Sequence, residues 1–248
     1  MVKPFALLLL FFLPWLPPAV AATETQIEIG VLANGAKFIG DSKGGAYVIV
    51  ADETTGDILA EGRTRGSTGD TERIMRGKGG RHGDISTPDD AVFRGSIALD
   101  APRKVLITAT GPLDHPESAA EAEKSLWLIP GEHLLSANRI LLELSGYLIE
   151  PVDIGIDPDG RGIVRVSLEM LCGCPIQPGG TWDADTINKT ATLLGEQGNS
   201  APVPLRYSGE GTVYEARFDS PLPGARFVRI DLAGTRNANT TSRRIPLD

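Results

Sequence analysis

The chain has 248 residues, a net charge of −8, and high counts of glycine (29) and proline (18). An acidic chain without a basic stripe is poorly suited to nucleic acid or to an anionic membrane surface, so we predict neither as a partner. Frequent glycine and proline between short apolar runs are typical of a protein made of short strands and turns.

Residues 1–21 have the composition of an export signal. Lys3 supplies a positive start, residues 5–15 are apolar, and the segment ends in the small-residue pattern Pro-Pro-Ala-Val-Ala. The apolar run is too short and too rich in proline to span a bilayer comfortably. We therefore predict a periplasmic or secreted mature chain that starts at Ala22 or Thr23, with no stable membrane insertion after cleavage.

The segment 23–130 contains alternating apolar runs separated by turn signals such as Asn34-Gly35 and Gly44-Gly45. The strand candidates are Gln26–Leu32, Ala46–Ala51, Asp57–Glu61, Ala91–Leu99 and Lys104–Ala109. This pattern predicts an N-terminal β-sandwich over residues 23–130.

Within that block, residues 46–60 predict a hairpin. The run Asp-Glu-Thr-Thr-Gly-Asp-Ile-Leu-Ala at 52–60 resembles the D-x-x-T-G-x-x-L-A run of bacterial carboxypeptidase-regulatory-like (transthyretin-like) β-sandwiches. The resemblance covers about residues 45–62, and it implies a small, non-catalytic β-sandwich module.

After this block, residues 116–125 (PESAAEAEKS) predict a short helix that is started by Asp114. Residues 127–131 then read as a strand that ends in a turn. We place the junction between two domains at residues 130–133.

The segment 134–248 predicts a second domain, again rich in short strands. Its strand candidates are Ile140–Leu144, Tyr147–Val152, Gly162–Cys172, Ala191–Leu194, Val203–Tyr207, Val213–Phe218 and Ala225–Leu232. Short strands divided by Gly, Pro and Asp turns favour an immunoglobulin-like sandwich. The predicted fold class is therefore all-β, with two tandem β-sandwiches, transthyretin-like and then immunoglobulin-like.

Both cysteines lie in one six-residue run, Met170-Leu-Cys172-Gly173-Cys174-Pro. An exported protein gains most from a disulfide that closes a long loop, so this pair does not staple the fold. If the strand continued past Met170, the sulfurs of Met170, Cys172 and Cys174 would line one sheet edge, where their thiols would be reachable. A kink at Gly173 would instead bring the two cysteines close enough for a local, easily reduced disulfide.

Three interpretations of this run stay open. Thioether and thiolate ligands select Cu(I), which predicts a copper site of Met170, Cys172 and Cys174 with a loop histidine as a fourth ligand. A reactive dithiol predicts thiol–disulfide chemistry at Cys172 and Cys174. Inert or locally bonded cysteines in a core are the third, since cysteine is among the most buried residue types.

Two further segments have a weaker chemical signal. Residues 153–160 (DIGIDPDG) contain three acids and a glycine, which hints at calcium, but they lack the closing Glu of an EF-hand and also form a good turn. Residues 76–84 are basic and glycine-rich, but they lack the Lys-Ser/Thr ending of a phosphate loop. We interpret both as loops.

The histidines are not part of a nucleophile motif such as G-x-S-x-G, and a catalytic constellation is not evident. The leading functional prediction is an exported, non-enzymatic binding protein of the cell envelope that holds a protein partner through its sandwich edges or loops. Envelope copper binding and thiol–disulfide redox work are the alternatives.

Overall fold

The computed structural model describes residues 21–77, 85, 87–196, 198–219 and 224–247. The export signal up to residue 20 and the basic loop at 78–84, with His82, lie outside these residues. Within the described ranges, the helices all lack the length and apolar character needed to cross a membrane.

A first β-sandwich occupies residues 23–144. Its elements are β1 (Thr23–Ala33), β2 (Tyr47–Asp52), β3 (Ile58–Arg63), α1 (Thr71–Arg76), β4 (Val92–Leu99), β5 (Arg103–Gly111), β6 (Ala120–Leu128) and β7 (Ile140–Leu144). One sheet has the antiparallel order β3-β2-β5-β6. The other has the order β4-β1-β7, in which β1 is antiparallel to β4 and parallel to β7.

A second sandwich follows from residue 147. Its strands are β8 (Tyr147–Ile156), β9 (Gly162–Met170), β10 (Ile176–Gln177), β11 (Trp182–Asp183), β12 (Ile187–Gly195), β13 (Gly198–Asn199), β14 (Val203–Pro204), β15 (Arg206–Tyr207), β16 (Val213–Phe218), β17 (Ala225–Gly234) and β18 (Thr240–Pro246). Short 3-10 turns lie at Asp41–Lys43, Pro116–Ser118, Ser136–Asn138 and Ala184–Thr186.

The strand order of the second sandwich is that of an immunoglobulin domain. One sheet runs β8-β9-β16-β15 and the other runs β12-β17-β18, with β13 and β14 added beside β12. When the strands are lettered A to G in chain order, β8-β9-β16-β15 is the A-B-E-D sheet and β12-β17-β18 is the C-F-G sheet of an immunoglobulin domain. The prediction of an all-β chain with two tandem sandwiches is confirmed.

The boundary between the sandwiches lies later than the sequence indicates. Residues 140–144, which we assigned to the second domain, form β7 and pair with β1 from Ile29 opposite Ile140 to Ala33 opposite Leu144. The chain therefore passes to the second sandwich at Ser145-Gly146 and not at residues 130–133. The apolar pattern of a strand is the same whichever sheet it joins, so the pattern alone does not locate this crossing.

The predicted helix at 116–125 is wrong. Only residues 116–118 form a helical turn, and residues 120–128 form β6 along β5. Ala120 and Ala122 pack toward the core while Glu121 and Glu123 are exposed. A two-residue period paired to a neighbouring strand therefore outweighs the helix propensity of Ala, Glu and Lys.

Candidate functional site

The cysteine run forms a tight turn at the end of β9. The Gly173 amide donates to the Met170 carbonyl (2.8 Å), and the Met170 amide donates to the Cys174 carbonyl (2.9 Å). Gly173 has φ +76°, which glycine adopts without a Cβ clash. This kink brings the Cα atoms of Cys172 and Cys174 to 5.4 Å, and the two sulfurs form a disulfide.

The sulfur atoms of this run are buried. Met170, Cys172 and Cys174 are 3%, 2% and 5% exposed and belong to the hydrophobic core. Of the two arrangements that the sequence left open, the structure has the kink at Gly173 and not a strand that continues to Cys174 with reachable thiols, and β9 ends at Met170 instead of Cys172. The turn at Gly173 ends the strand and folds both side chains inward.

The turn also contributes to the contact between the sandwiches. Lys43 of the first sandwich lies across Gly173, where an added Cβ would collide with the lysine Cε. The Lys43 ammonium pairs with Glu169 of β9 at 2.9 Å, and both side chains are about four-fifths buried. The glycine between the cysteines thus leaves room for a cross-sandwich ion pair.

We expect the Cys172→Ala/Cys174→Ala variant to fold with a free energy of unfolding lower by about 1–3 kcal/mol, because so small a ring constrains the unfolded chain only slightly. Denaturant unfolding measures this loss. The wild-type chain is also expected to resist alkylation in the folded state without reductant. Rapid alkylation of the folded, unreduced wild type would contradict the buried disulfide.

The predicted metal ligands are only partly brought together. Within the described ranges, groups of three or more His, Cys, Asp or Glu side chains placed to hold a metal ion are not found. The Nδ1 of His115 lies 2.9 Å from Glu150, and the Nδ1 of His133 accepts from the Gln26 amide (3.1 Å). Neither histidine therefore joins the sulfur turn, and the copper set of Met170, Cys172 and Cys174 stays a prediction.

The acidic segment 153–160 uses its central carboxylate within its own turn. Asp157 accepts from the amides of Asp159 and Arg161, both at 2.9 Å, and pairs with Arg217 at 3.0 Å. The bond from the Arg161 amide, followed by that from Asp159 and the nearby Arg161 and Arg217 charges, lowers the pKa of Asp157 despite its burial. The segment is a hairpin turn closed by its own carboxylate.

An apolar surface on the first sandwich is the strongest candidate for a functional site. On the outer face of the β3-β2-β5-β6 sheet, the register places Ile58, Ala51 and Leu106 side by side across three strands. Ile49 lies two residues before Ala51 on the same face, and Trp127 lies in the row beside Leu106, opposite Lys104. We call these five apolar residues the Trp127 face.

The solvent face of an antiparallel sheet is usually polar, so this surface is unusual. Trp127 is 59% exposed and Ile58 is 58% exposed, while Ile49, Ala51 and Leu106 are half-buried. The row of Ile58, Ala51 and Leu106 ends at Ser125 of β6, and Trp127 lies diagonal to Leu106, a position from which an aromatic side chain reaches its neighbour. Exposed apolar side chains grouped within a polar border are typical of an interaction site.

The polar residues around the Trp127 face are charged, mostly negative, and several of them are bonded to one another. Glu53 pairs with Lys104 at 2.7 Å and accepts from the Ser125 hydroxyl at 2.6 Å. These two bonds lower the pKa of Glu53. The Tyr47 hydroxyl donates to Glu61 at 2.9 Å, and this bond raises the pKa of the tyrosine. Because β5 lies between β2 and β6, the Glu53–Ser125 contact crosses the face beside Leu106, whereas the Tyr47–Glu61 pair lies at its rim.

Sequence reasoning missed this surface, although a signal for it was present. Residues 47–51 (YVIVA) are apolar at every position, whereas a strand with one solvated face alternates. Val48 and Val50 fill the core, so Ile49 and Ala51 necessarily point outward. The exposure of Trp127 followed only once residues 120–128 were seen to be a strand.

Comparison with known proteins gives little further information. Neither a family model nor a curated protein matches the chain. Among solved structures, the chain is similar to bovine butyrophilin (8% identity, TM-score 0.25), with 90% of this chain and 99% of that chain covered. It is also similar to a chain of the complex of ICOS with ICOS-L and an anti-ICOS-L VNAR domain (10% identity, TM-score 0.21), with 89% and 94% covered. Similarity at this level does not support an assignment of fold or function, so the fold assignment rests on the strand order alone.

Proposed function

We propose that this chain is an exported, non-enzymatic binding protein of the cell envelope that holds a protein partner on the Trp127 face. The observation that carries the proposal is the group of five apolar side chains, two of them more than half exposed, that a partner would desolvate on an otherwise charged sheet surface. Protein interfaces combine such a desolvated centre with a polar rim, and tryptophan and tyrosine are enriched among the residues that dominate affinity. Trp127 is the aromatic residue of this face, and Tyr47 lies at its rim.

The rim indicates the charge of the partner. The same outer face contains four carboxylates against the two cations Arg63 and Lys104. The carboxylates are Glu53, Glu61, Glu121 and Glu123. A partner that presents an apolar ridge flanked by lysine or arginine is complementary to this arrangement. A second copy of this chain would place acidic rim against acidic rim, so we propose a different protein as the occupant.

The local sequence resemblance supports the same proposal. It implies a non-catalytic β-sandwich module, and residues 47–63 do form a β2–β3 hairpin. The leader at residues 1–21 supports export, and with it a partner in the periplasm or outside the cell.

Site-specific photo-crosslinking tests the proposal in the exporting cell. A crosslinking side chain at Glu123, exposed beside the Trp127 face, is expected to capture one envelope protein, and Leu106→Glu should abolish that product. The matched control is the same side chain at Glu210, exposed on the second sandwich. The same product from both positions, or a product that survives Leu106→Glu, would contradict binding through this face.

The disulfide favours thiol–disulfide chemistry at Cys172 and Cys174 as a second candidate function. Reduction would add two electrons and two protons, taken from a dithiol protein, and the buried turn would have to open first. Copper at Met170, Cys172 and Cys174 needs the reduced thiols. A Cu(I) competition titration on reduced protein tests it, and affinity equal to that of Cys172→Ala/Cys174→Ala would reject it.

A further inference from the structure

A cluster of arginines lies on the outer face of the second sandwich, on the β12-β17-β18 sheet. In β17, Val228 and Ile230 are fully buried, so Phe227 and Arg229 point to the opposite, solvent-facing side. The register sets Arg229 directly opposite Arg244 of β18. Like charges opposite each other on one face destabilise a sheet, so this pair requires a compensating group.

The protein supplies only part of that compensation. Arg229 pairs with Asp231 at 2.8 Å, and the Asp231 carboxylate also accepts from the Ser242 hydroxyl. The guanidinium of Arg244 lies 5.5 Å from the centre of the Phe227 ring. In the part of the chain that the structure describes, Arg244 has no carboxylate within ion-pairing distance. One cation at the centre of this cluster therefore has an aromatic ring but no counter-charge.

A concave site accompanies the cluster. A cavity of about 310 Å³ opens at this place, and its lining includes Arg226, Arg229 and Arg244 together with Phe227 and Leu194. Arg226 pairs with Glu196 at 2.9 Å, but both side chains are 70% exposed, so this pair is weak and easily exchanged for another anion. Phe227 is 36% exposed and gives the cavity an apolar wall.

We propose that this cavity binds a phosphate group attached to an apolar moiety. Guanidinium groups match phosphate oxygens in a two-pronged geometry, and an anion between Arg229 and Arg244 removes their mutual repulsion. Phe227 and Leu194 contact the apolar part of the ligand. The site is on the second sandwich and is independent of the Trp127 face. The phosphate comes from either a soluble ester or a lipid headgroup.

Calorimetric titration of the mature protein tests the site with three probes: inorganic phosphate, phenyl phosphate, and vesicles of phosphatidylglycerol beside vesicles of phosphatidylcholine. Phenyl phosphate is expected to bind more tightly than inorganic phosphate. Arg244→Gln is expected to lower the affinity for phenyl phosphate at least about tenfold, which is the effect of removing a charged hydrogen-bond partner. Arg206→Gln, which removes one exposed positive charge from the other sheet, is the matched control and should leave the affinity unchanged.

The vesicles distinguish the two sources. Binding to phosphatidylglycerol vesicles that is lost in Arg244→Gln supports the lipid headgroup, and binding of phenyl phosphate without vesicle binding supports a soluble ester. A second readout is the melting temperature, which phenyl phosphate should raise in the wild type and not in Arg244→Gln. The proposal is overturned if none of the probes binds, or if Arg244→Gln and Arg206→Gln lose affinity equally.

Discussion

Replacing Asn239 by alanine is expected to lower the free energy of unfolding by about 2–4 kcal/mol. Asn239 is fully buried in the loop between β17 and β18. Its side-chain oxygen accepts from the Gly146 amide, and its side-chain nitrogen donates to the Gly146 carbonyl at 3.1 Å. Gly146 is where the chain crosses between the sandwiches, so the variant leaves two buried backbone groups of the linker without partners.

Denaturant unfolding measures this effect, and Asn138→Ala is the matched control. Asn138 is exposed at the end of a 3-10 turn. Its backbone amide donates to the Leu135 carbonyl, and this bond does not depend on the side chain. We expect its loss to stay below about 0.5 kcal/mol, as for most surface substitutions. A similar loss in both variants would show that the paired bonds of Asn239 do not stabilise the linker.

The second large effect is expected at Gly66, in the first sandwich. Gly66 has φ +132°, and a Cβ added there would lie 2.6 Å from the carbonyl oxygens of Asp89 and Asp90. These are backbone atoms, so relief requires movement of the main chain. Gly66→Ala is therefore expected to cost more than about 3 kcal/mol, through strained φ and overpacking together.

Gly198→Ala separates the two causes. Gly198 has nearly the same φ, +133°, but an added Cβ there meets nothing within 4 Å. Its cost should therefore be the conformational strain alone, about 1–2 kcal/mol. Equal losses in the two variants would mean that the close approach to Asp89 and Asp90 contributes nothing.

Local sequence patterns predicted most strands of this fold, because burial on one face imposes alternation. The runs at 47–52, 93–99 and 213–218 alternate in burial in the structure with the period that their sequences show. The helix predicted at residues 120–125 was wrong because their composition favours a helix, whereas their pairing with β5 depends on tertiary structure. The domain boundary failed for a similar reason, since residues 140–144 read as a strand but their partner β1 is over a hundred residues away.

The candidate sites depended even more on tertiary structure. The sequence indicated that Gly173 permits a kink, and the disulfide at Cys172 and Cys174 follows from it. Burial of both sulfurs was one of the three interpretations that the sequence left open, and the turn that folds them into the core decides for it. The Trp127 face needed the cross-strand register, since Ile58, Leu106 and Trp127 belong to three separate segments. Pairing Arg229 with Arg244 likewise needed the β17–β18 register.

The central claim is that the Trp127 face holds a protein partner, and the affinity of the purified crosslinked partner tests it most directly. Trp127→Ala is expected to weaken binding by about thirtyfold or more, as for an exposed aromatic at the centre of an interface. Phe227→Ala, which removes an exposed aromatic from the second sandwich, should leave this affinity unchanged. Equal affinities of the wild type and Trp127→Ala, or an equal loss in both variants, would contradict the account.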